Sequence, residues 1–249
     1  VTGPQGGHPL LLLHGFGASS CHWRRTAPRL AELGWRVYSL DLLGFGASDQ
    51  PARPLNNSLW GHQVCAFLKQ VVQQPTVLIG NSLGGLTALT AAVLQPKWVQ
   101  AVVAAPLPDP ALLNPIPRTV ARWKRRWMRR LLRIILRLLP LELLVPLISR
   151  TPLLKVGLQG AYCNSIAEDR ELIELIARPA RRPSAARALR GMTFGMALRA
   201  QASTAPALLF ALQRPLLLIW GQEDRFVPLS IGQSIHHLHP CINLVALEG

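Results

Sequence analysis

The sequence predicts an α/β fold: a mostly parallel sheet flanked by helices, with a helical cap inserted into it. Three observations predict this. Short apolar runs alternate with helix-length segments from Leu10 to Leu94, the rhythm of parallel strands joined by crossover helices. The rhythm resumes at Pro215. Between the two stretches, residues 106–213 lose it, and Arg, Leu and Pro dominate.

Each element has its own reason. Leu10–Leu13 is wholly apolar and runs into a Gly-containing loop, as a buried strand does. Arg25–Leu33 has helical spacing and stops at Gly34, and Trp35–Leu40 is the next strand. Asn57–Gln73 repeats apolar residues at helical spacing. Thr76–Ile79 is a strand that breaks into Gly80-Asn81-Ser82-Leu83-Gly84, with the helix Leu86–Leu94 behind it. Val99–Ala104, Pro215–Trp220 and Ile242–Leu247 complete the strands. The resulting division is 1–105 for the first part of the core, 106–213 for the cap inserted after Val99–Ala104, and 214–249 for the last part of the core.

Composition narrows the classes. The chain has 249 residues, 49% of them hydrophobic, too apolar for a disordered polar chain. Cys21, Cys65, Cys163 and Cys241 are far apart and form no C-x-x-C pair. That argues against a structural zinc site or a disulfide scaffold and suits a reducing compartment. Val71–Pro96 carries no charge, but Pro75, Gly80, Asn81, Gly84 and Gly85 interrupt it, so a strand, a turn and a buried helix explain it better than a membrane span. The chain starts at Val1 and stops at Gly249, just after an apolar run. Truncation at both ends is the expectation.

Three segments point to chemistry. In G-x-S-x-G between a strand and a helix, the Ser sits on a sharp turn that the flanking glycines make room for, and its hydroxyl is exposed at the following helix N-terminus. Gly80, Asn81, Ser82 and Gly84 occupy that pattern in that context. His14-Gly15-Phe16-Gly17 follows a strand directly. Its backbone, with the N–H of Leu83, is placed to stabilise a tetrahedral oxyanion, Phe16 being the most plausible donor of the loop. The His14 side chain itself is read as loop packing. Asp224, in the loop after Pro215–Trp220, is the candidate acid to orient a histidine. Neighbouring Glu223 is the weaker candidate.

Together these residues resemble the α/β-hydrolase superfamily, in its esterase-like branch with a Ser nucleophile. The resemblance is carried by L-L-L-H-G-F-G (Leu11–Gly17), D-L-L-G-F-G-A-S-D (Asp41–Asp49), G-N-S-L-G-G (Gly80–Gly85) and W-G-Q-E-D-R-F-V-P (Trp220–Pro228), in the family's order and spacing. G-N-S-L-G-G with a long Arg- and Leu-rich cap is also similar to pheophytinase-type members of cyanobacteria and plastids. The resemblance implies Ser82 as nucleophile, Asp224 as acid, and Phe16 and Leu83 as oxyanion donors. It implies hydrolysis of a carboxylic ester with a hydrophobic group, without metal or organic cofactor. C–C hydrolysis, a lyase step or perhydrolase chemistry on the same fold remain open, as does a non-catalytic membrane-associated protein.

One departure stands out. The family's histidine follows the last core strand, and here Ile242–Leu247 is followed only by Glu248 and Gly249. None of His8, His14, His22, His62, His236, His237 and His239 matches that position. The triad histidine is therefore expected beyond Gly249, and residues 1–249 alone are expected to be nearly inactive. The H-H-x-H run His236–His239 is read as a solvated helix end, not a metal cluster.

The net charge of +15 is concentrated. Arg118–Arg137 holds nine basic residues and no acid, and the rest of the chain nets only +6, from 18 basic and 12 acidic residues. At helical spacing, all of the nine but Lys124 share one arc, and Trp123, Trp127, Leu131, Ile134 and Leu138 lie opposite. Two readings lead: a cap helix with its apolar side on the active site, or docking to an anionic membrane surface. No nucleic-acid fold motif accompanies the charge, so no nucleic acid is expected as a partner. A cytoplasmic location, peripheral to a membrane, is the corresponding expectation.

Overall fold

Among the described residues, six strands form where the sequence has its six apolar runs: β1 (His8–Leu13), β2 (Trp35–Leu40), β3 (Thr76–Asn81), β4 (Val99–Ala105), β5 (Leu216–Gly221) and β6 (Asn243–Leu247). The computed structural model describes residues 1–113, 122–150, 152–162, 165–166 and 168–248. Arg118 and Cys163 lie outside them. The strands make one sheet in the order β2-β1-β3-β4-β5-β6, and every neighbouring pair is parallel. Thr2 adds an isolated antiparallel bridge to Val37.

The continuous apolar run of β1 has a direct cause: both faces of the sheet are covered. Leu11 and Leu13 point into the main core, and Leu10 and Leu12 pack with Val37 and Ala27 on the other face. Ala27 belongs to α1 (Thr26–Glu32). The main core is filled from α2 (Asn57–Phe67) and α3 (Leu83–Leu94), with Trp60, Leu86 and Leu89 fully buried. Asn56 caps α2 by accepting the Leu59 N–H at 3.0 Å. The helix runs on to Val72, but its last turn, Leu68–Val72, widens to π geometry.

Between β4 and β5 the described chain is helical: α4 (Pro110–Leu113), α5 (Arg122–Leu138), α6 (Leu141–Arg150), α7 (Pro152–Gln159), α8 (Arg170–Ala180), α9 (Ala185–Ala197) and α10 (Ala205–Ala211). α10 returns to the sheet layer, where Ala205, Leu208 and Leu209 join the main core. α11 (Leu229–Leu238) connects β5 to β6 and buries Ile231 and Ile235 in that core.

Backbone approaches and ion pairs hold the cap down. Cβ atoms on Gly191 and Gly195 would run into the carbonyls of Arg53 and Leu55, so α9 lies directly on the chain after β2. Arg24 pairs with Asp169 at 2.7 Å and with Glu171 at 3.1 Å. At the neck, buried Asp109 accepts from Arg199 at 2.5 Å and from the backbone N–H of Ala205 and Ala111 at 2.6 and 2.9 Å. One carboxylate thus ties the exit of β4 to the chain entering α10. Among the described residues, no helix is long and apolar enough to cross a membrane.

Candidate active site

The turn at Ser82 is tighter than the sequence suggests. Gly80 and Asn81 stay on β3, and Leu83 already opens α3, so Ser82 alone joins strand to helix. Its φ of 51° and ψ of −115° fall where an L side chain is strained. The surroundings enforce the angle. Ser82 N–H donates to the Ala105 carbonyl at 2.9 Å, and the Asn81 side-chain amide donates to the same oxygen at 2.9 Å. The Ser82 carbonyl accepts from Gly85 N–H at 2.8 Å. The two glycines of the motif are sterically required: a Cβ on Gly80 would strike the Gly84 backbone, and one on Gly84 would strike the Leu13 carbonyl.

The loop after β1 lies against this turn. A Cβ built on Gly15 would stand 3.5 Å from Ser82 Cβ and 2.6 Å from Asn81 Oδ1. Glycine there lets the backbone approach the serine. His14 fixes the loop from beneath. It is fully buried, its Nδ1 lies 2.8 Å from the Gly15 carbonyl, and its Nε2 accepts Leu42 N–H at 3.1 Å. With Nε2 accepting, Nδ1 carries the proton. Burial lowers its pKa from 6.5, opposed by the bond to Gly15 and the charge of Asp41, so the ring stays neutral and structural. The Phe16 ring is 62% exposed and meets Phe45 edge-on at 5.8 Å. Leu83 N–H is one of the first amides of α3, groups without an intrahelical partner.

Asp224 sits beyond the C-terminal end of β5, on the sheet edge where β3 ends at the serine. Its Oδ1 accepts the N–H groups of Phe226 and Val227 at 2.9 and 2.8 Å. The hydrogen bonds described for its side chain all use Oδ1, which leaves Oδ2 for another donor. β6 pairs with β5 up to Gly221–Leu247, and Gln222 N–H donates to the Leu247 carbonyl at 2.9 Å. The chain therefore leaves the sheet beside the Asp224 loop.

Among the described residues, no hydrogen bond joins a histidine to Ser82 or Asp224. His236 turns back to the Ile242 carbonyl at 2.7 Å, and His237 lines a shallow depression on α11 with Ser230 and Gln233. His22 packs against Trp23 and Tyr162, and burial lowers its pKa.

Asp41 is a residue whose role sequence reasoning missed. Its carboxylate accepts Ser20 N–H at 2.5 Å and Ala47 N–H at 2.8 Å, and its carbonyl accepts Ser48 Oγ and Gln63 Nε2 at 2.7 and 3.0 Å. It binds the loop after β1 to the loop after β2. The signal was present: Asp41 heads a glycine-rich loop directly after a strand, where an unpaired carboxylate finds backbone N–H groups.

The parallel sheet, the one-residue turn at the serine and the interrupting helical segment define a hydrolase-type scaffold. The sequence model of the alpha/beta hydrolase fold family matches residues 8–248, and the chain belongs to that family. It is 36% identical over 101 residues to 2-hydroxymuconate semialdehyde hydrolase of Pseudomonas sp. strain CF600, a match covering 39% of this chain and 35% of that one. The match thus spans about a third of that relative's length. It is 26% identical over 236 residues to the uncharacterized hydrolase YugF of Bacillus subtilis, covering 93% of this chain and 78% of that one. Among solved structures, a membrane phospholipase A superposes with a TM-score of 0.72 at 25% identity, covering 99% of this chain and 73% of that one.

Proposed function

We propose that this hydrolase acts on a carboxylic ester with a hydrophobic group, through an acyl-enzyme on Ser82. The observation that carries the reading is the strained angle of Ser82, held between the start of α3 and the Gly15 backbone. A serine kept there against a steric cost is presented for attack.

In this reading Ser82 Oγ attacks the ester carbonyl and its proton passes to a general base. The N–H groups of Leu83 and Phe16 hold the oxyanion of the tetrahedral intermediate. Collapse expels the alcohol, which takes the proton from the base. Water, activated by the same base, then attacks the acyl-enzyme and releases the acid and the serine. The base is a histidine beyond Gly249, arriving where β6 delivers the chain beside the Asp224 loop. Asp224 orients it through the free Oδ2 and stabilises its imidazolium. The exposed Phe16 ring supports an apolar acyl or alcohol group, and the phospholipase neighbour supports ester chemistry. No cofactor enters the scheme.

The similarity to a semialdehyde hydrolase favours a second reading, C–C bond hydrolysis at the same serine. Turnover of p-nitrophenyl esters of increasing acyl length by the full-length gene product separates the two. Rates that rise with acyl length and vanish in Ser82→Ala support the ester reading. Absence of ester turnover, with hydrolysis of a vinylogous diketone, supports the alternative.

A further inference from the structure

The apolar side of α5 does not cover the sheet or the candidate site. Trp123, Trp127, Met128, Leu131, Ile134, Ile135 and Leu138 are all exposed, Trp127 at 66% and Leu138 at 77%. At helical spacing these seven fall within one arc, which the exposed Arg126 and Arg130 border. This corrects the reading in which that side faces the active site: here it faces solvent. The exposure continues on the next two helices, with Leu143 at 73% on α6 and Val156 at 71% on α7. So much apolar surface in one part of a chain marks an interaction site.

We infer that α5, with α6 and α7, docks on an anionic lipid bilayer. Charge complementarity selects this occupant. The 17 residues of α5 include eight basic and no acidic ones. A second copy of the chain would bring two such helices together and set like charges against each other. A nucleic acid would use the arginines but leave Trp127, Leu131 and Ile134 in water. A bilayer with anionic headgroups satisfies both halves: the apolar arc enters the headgroup and acyl boundary, and the arginines stay at the phosphates. Such docking would bring the enzyme to lipid-borne esters, but it stands without the catalytic reading, because it is measured as binding.

The test is co-sedimentation of the full-length protein with phosphatidylcholine vesicles, with and without a phosphatidylglycerol fraction. Binding is expected only to the anionic vesicles and is expected to weaken with added salt. Arg126→Gln/Arg130→Gln should lower the partition coefficient about 25-fold, at about 1 kcal/mol per basic residue. Trp127→Ser/Leu131→Ser should lower it about tenfold. Both pairs are exposed, so unchanged thermal melts are expected and check the folding. Equal binding to both vesicle types, or to neither, overturns the inference. A dimer in light scattering that Trp127→Ser/Leu131→Ser dissociates would overturn it too, and would assign the surface to a second copy.

Discussion

At the scale of single residues, function and stability pull against each other at position 82. The φ of 51° is a glycine conformation occupied by serine. Ser82→Gly should relieve the strain and raise stability by about 1 kcal/mol, a few degrees in melting temperature, while abolishing turnover. Differential scanning calorimetry checks the first part and an ester assay the second. Gly84→Ala should act oppositely, losing about 2 kcal/mol or more because its Cβ would run into the Leu13 and His14 carbonyls, backbone that cannot give way. His14 supplies a pH dependence. Its folded pKa is depressed by burial below 6.5, so the unfolded chain takes up a proton that the folded ring refuses. His14 therefore contributes nothing to the pH dependence above that value and costs stability as pH falls through it. NMR titration should find the ring neutral just below pH 6.5, and urea unfolding should find a falling midpoint, added to by His22, which is shifted in the same direction.

At the scale of elements, the strands were the legible part of the sequence. Each apolar run from Leu10–Leu13 to Ile242–Leu247 became a strand with ends displaced by two residues at most, because a two-sided parallel sheet demands continuous apolar runs. The strained turn at Ser82 and the place of Asp224 after β5 were legible because turn glycines and a post-strand acid leave local marks. The role of Asp109 was not, since Arg199 and Ala205 lie far away in sequence and no local pattern announces them. The tightness of the turn was missed for a related reason: Gly84 and Gly85 look like loop residues, yet they lie inside α3 and are glycine because Leu13 and Ala104 pack so closely on them. The neck of the cap tests this scale. Asp109 is buried and paired with an Arg199 that is itself 11% exposed. Arg199→Leu should cost about 3 kcal/mol by leaving the carboxylate partly uncompensated, and adding Asp109→Asn should recover much of it. Chemical denaturation of Arg199→Leu, Asp109→Asn and the double variant, as a double-mutant cycle, measures this directly.

At the scale of the whole molecule, charge and apolar surface gather in one part of the chain. The net +15 comes mainly from the basic run that α5 carries, and that helix also exposes its tryptophans. The core and the candidate site need neither, so removing the exposed residues of α5 should leave hydrolysis of a soluble ester unchanged. Its turnover in the absence of vesicles by Trp127→Ser/Leu131→Ser checks this separation. The cap is thus fastened at its neck and along α9, while α5 meets solvent.

Covalent labelling decides whether Ser82 is the activated nucleophile proposed for it. The full-length gene product is treated with a fluorophosphonate and its peptides are analysed by mass spectrometry. One adduct is expected, on the peptide that contains Ser82, absent in Ser82→Ala and formed more slowly in Asp224→Asn. No adduct on folded protein, or one that survives Ser82→Ala, would contradict it and leave a hydrolase fold without its proposed chemistry.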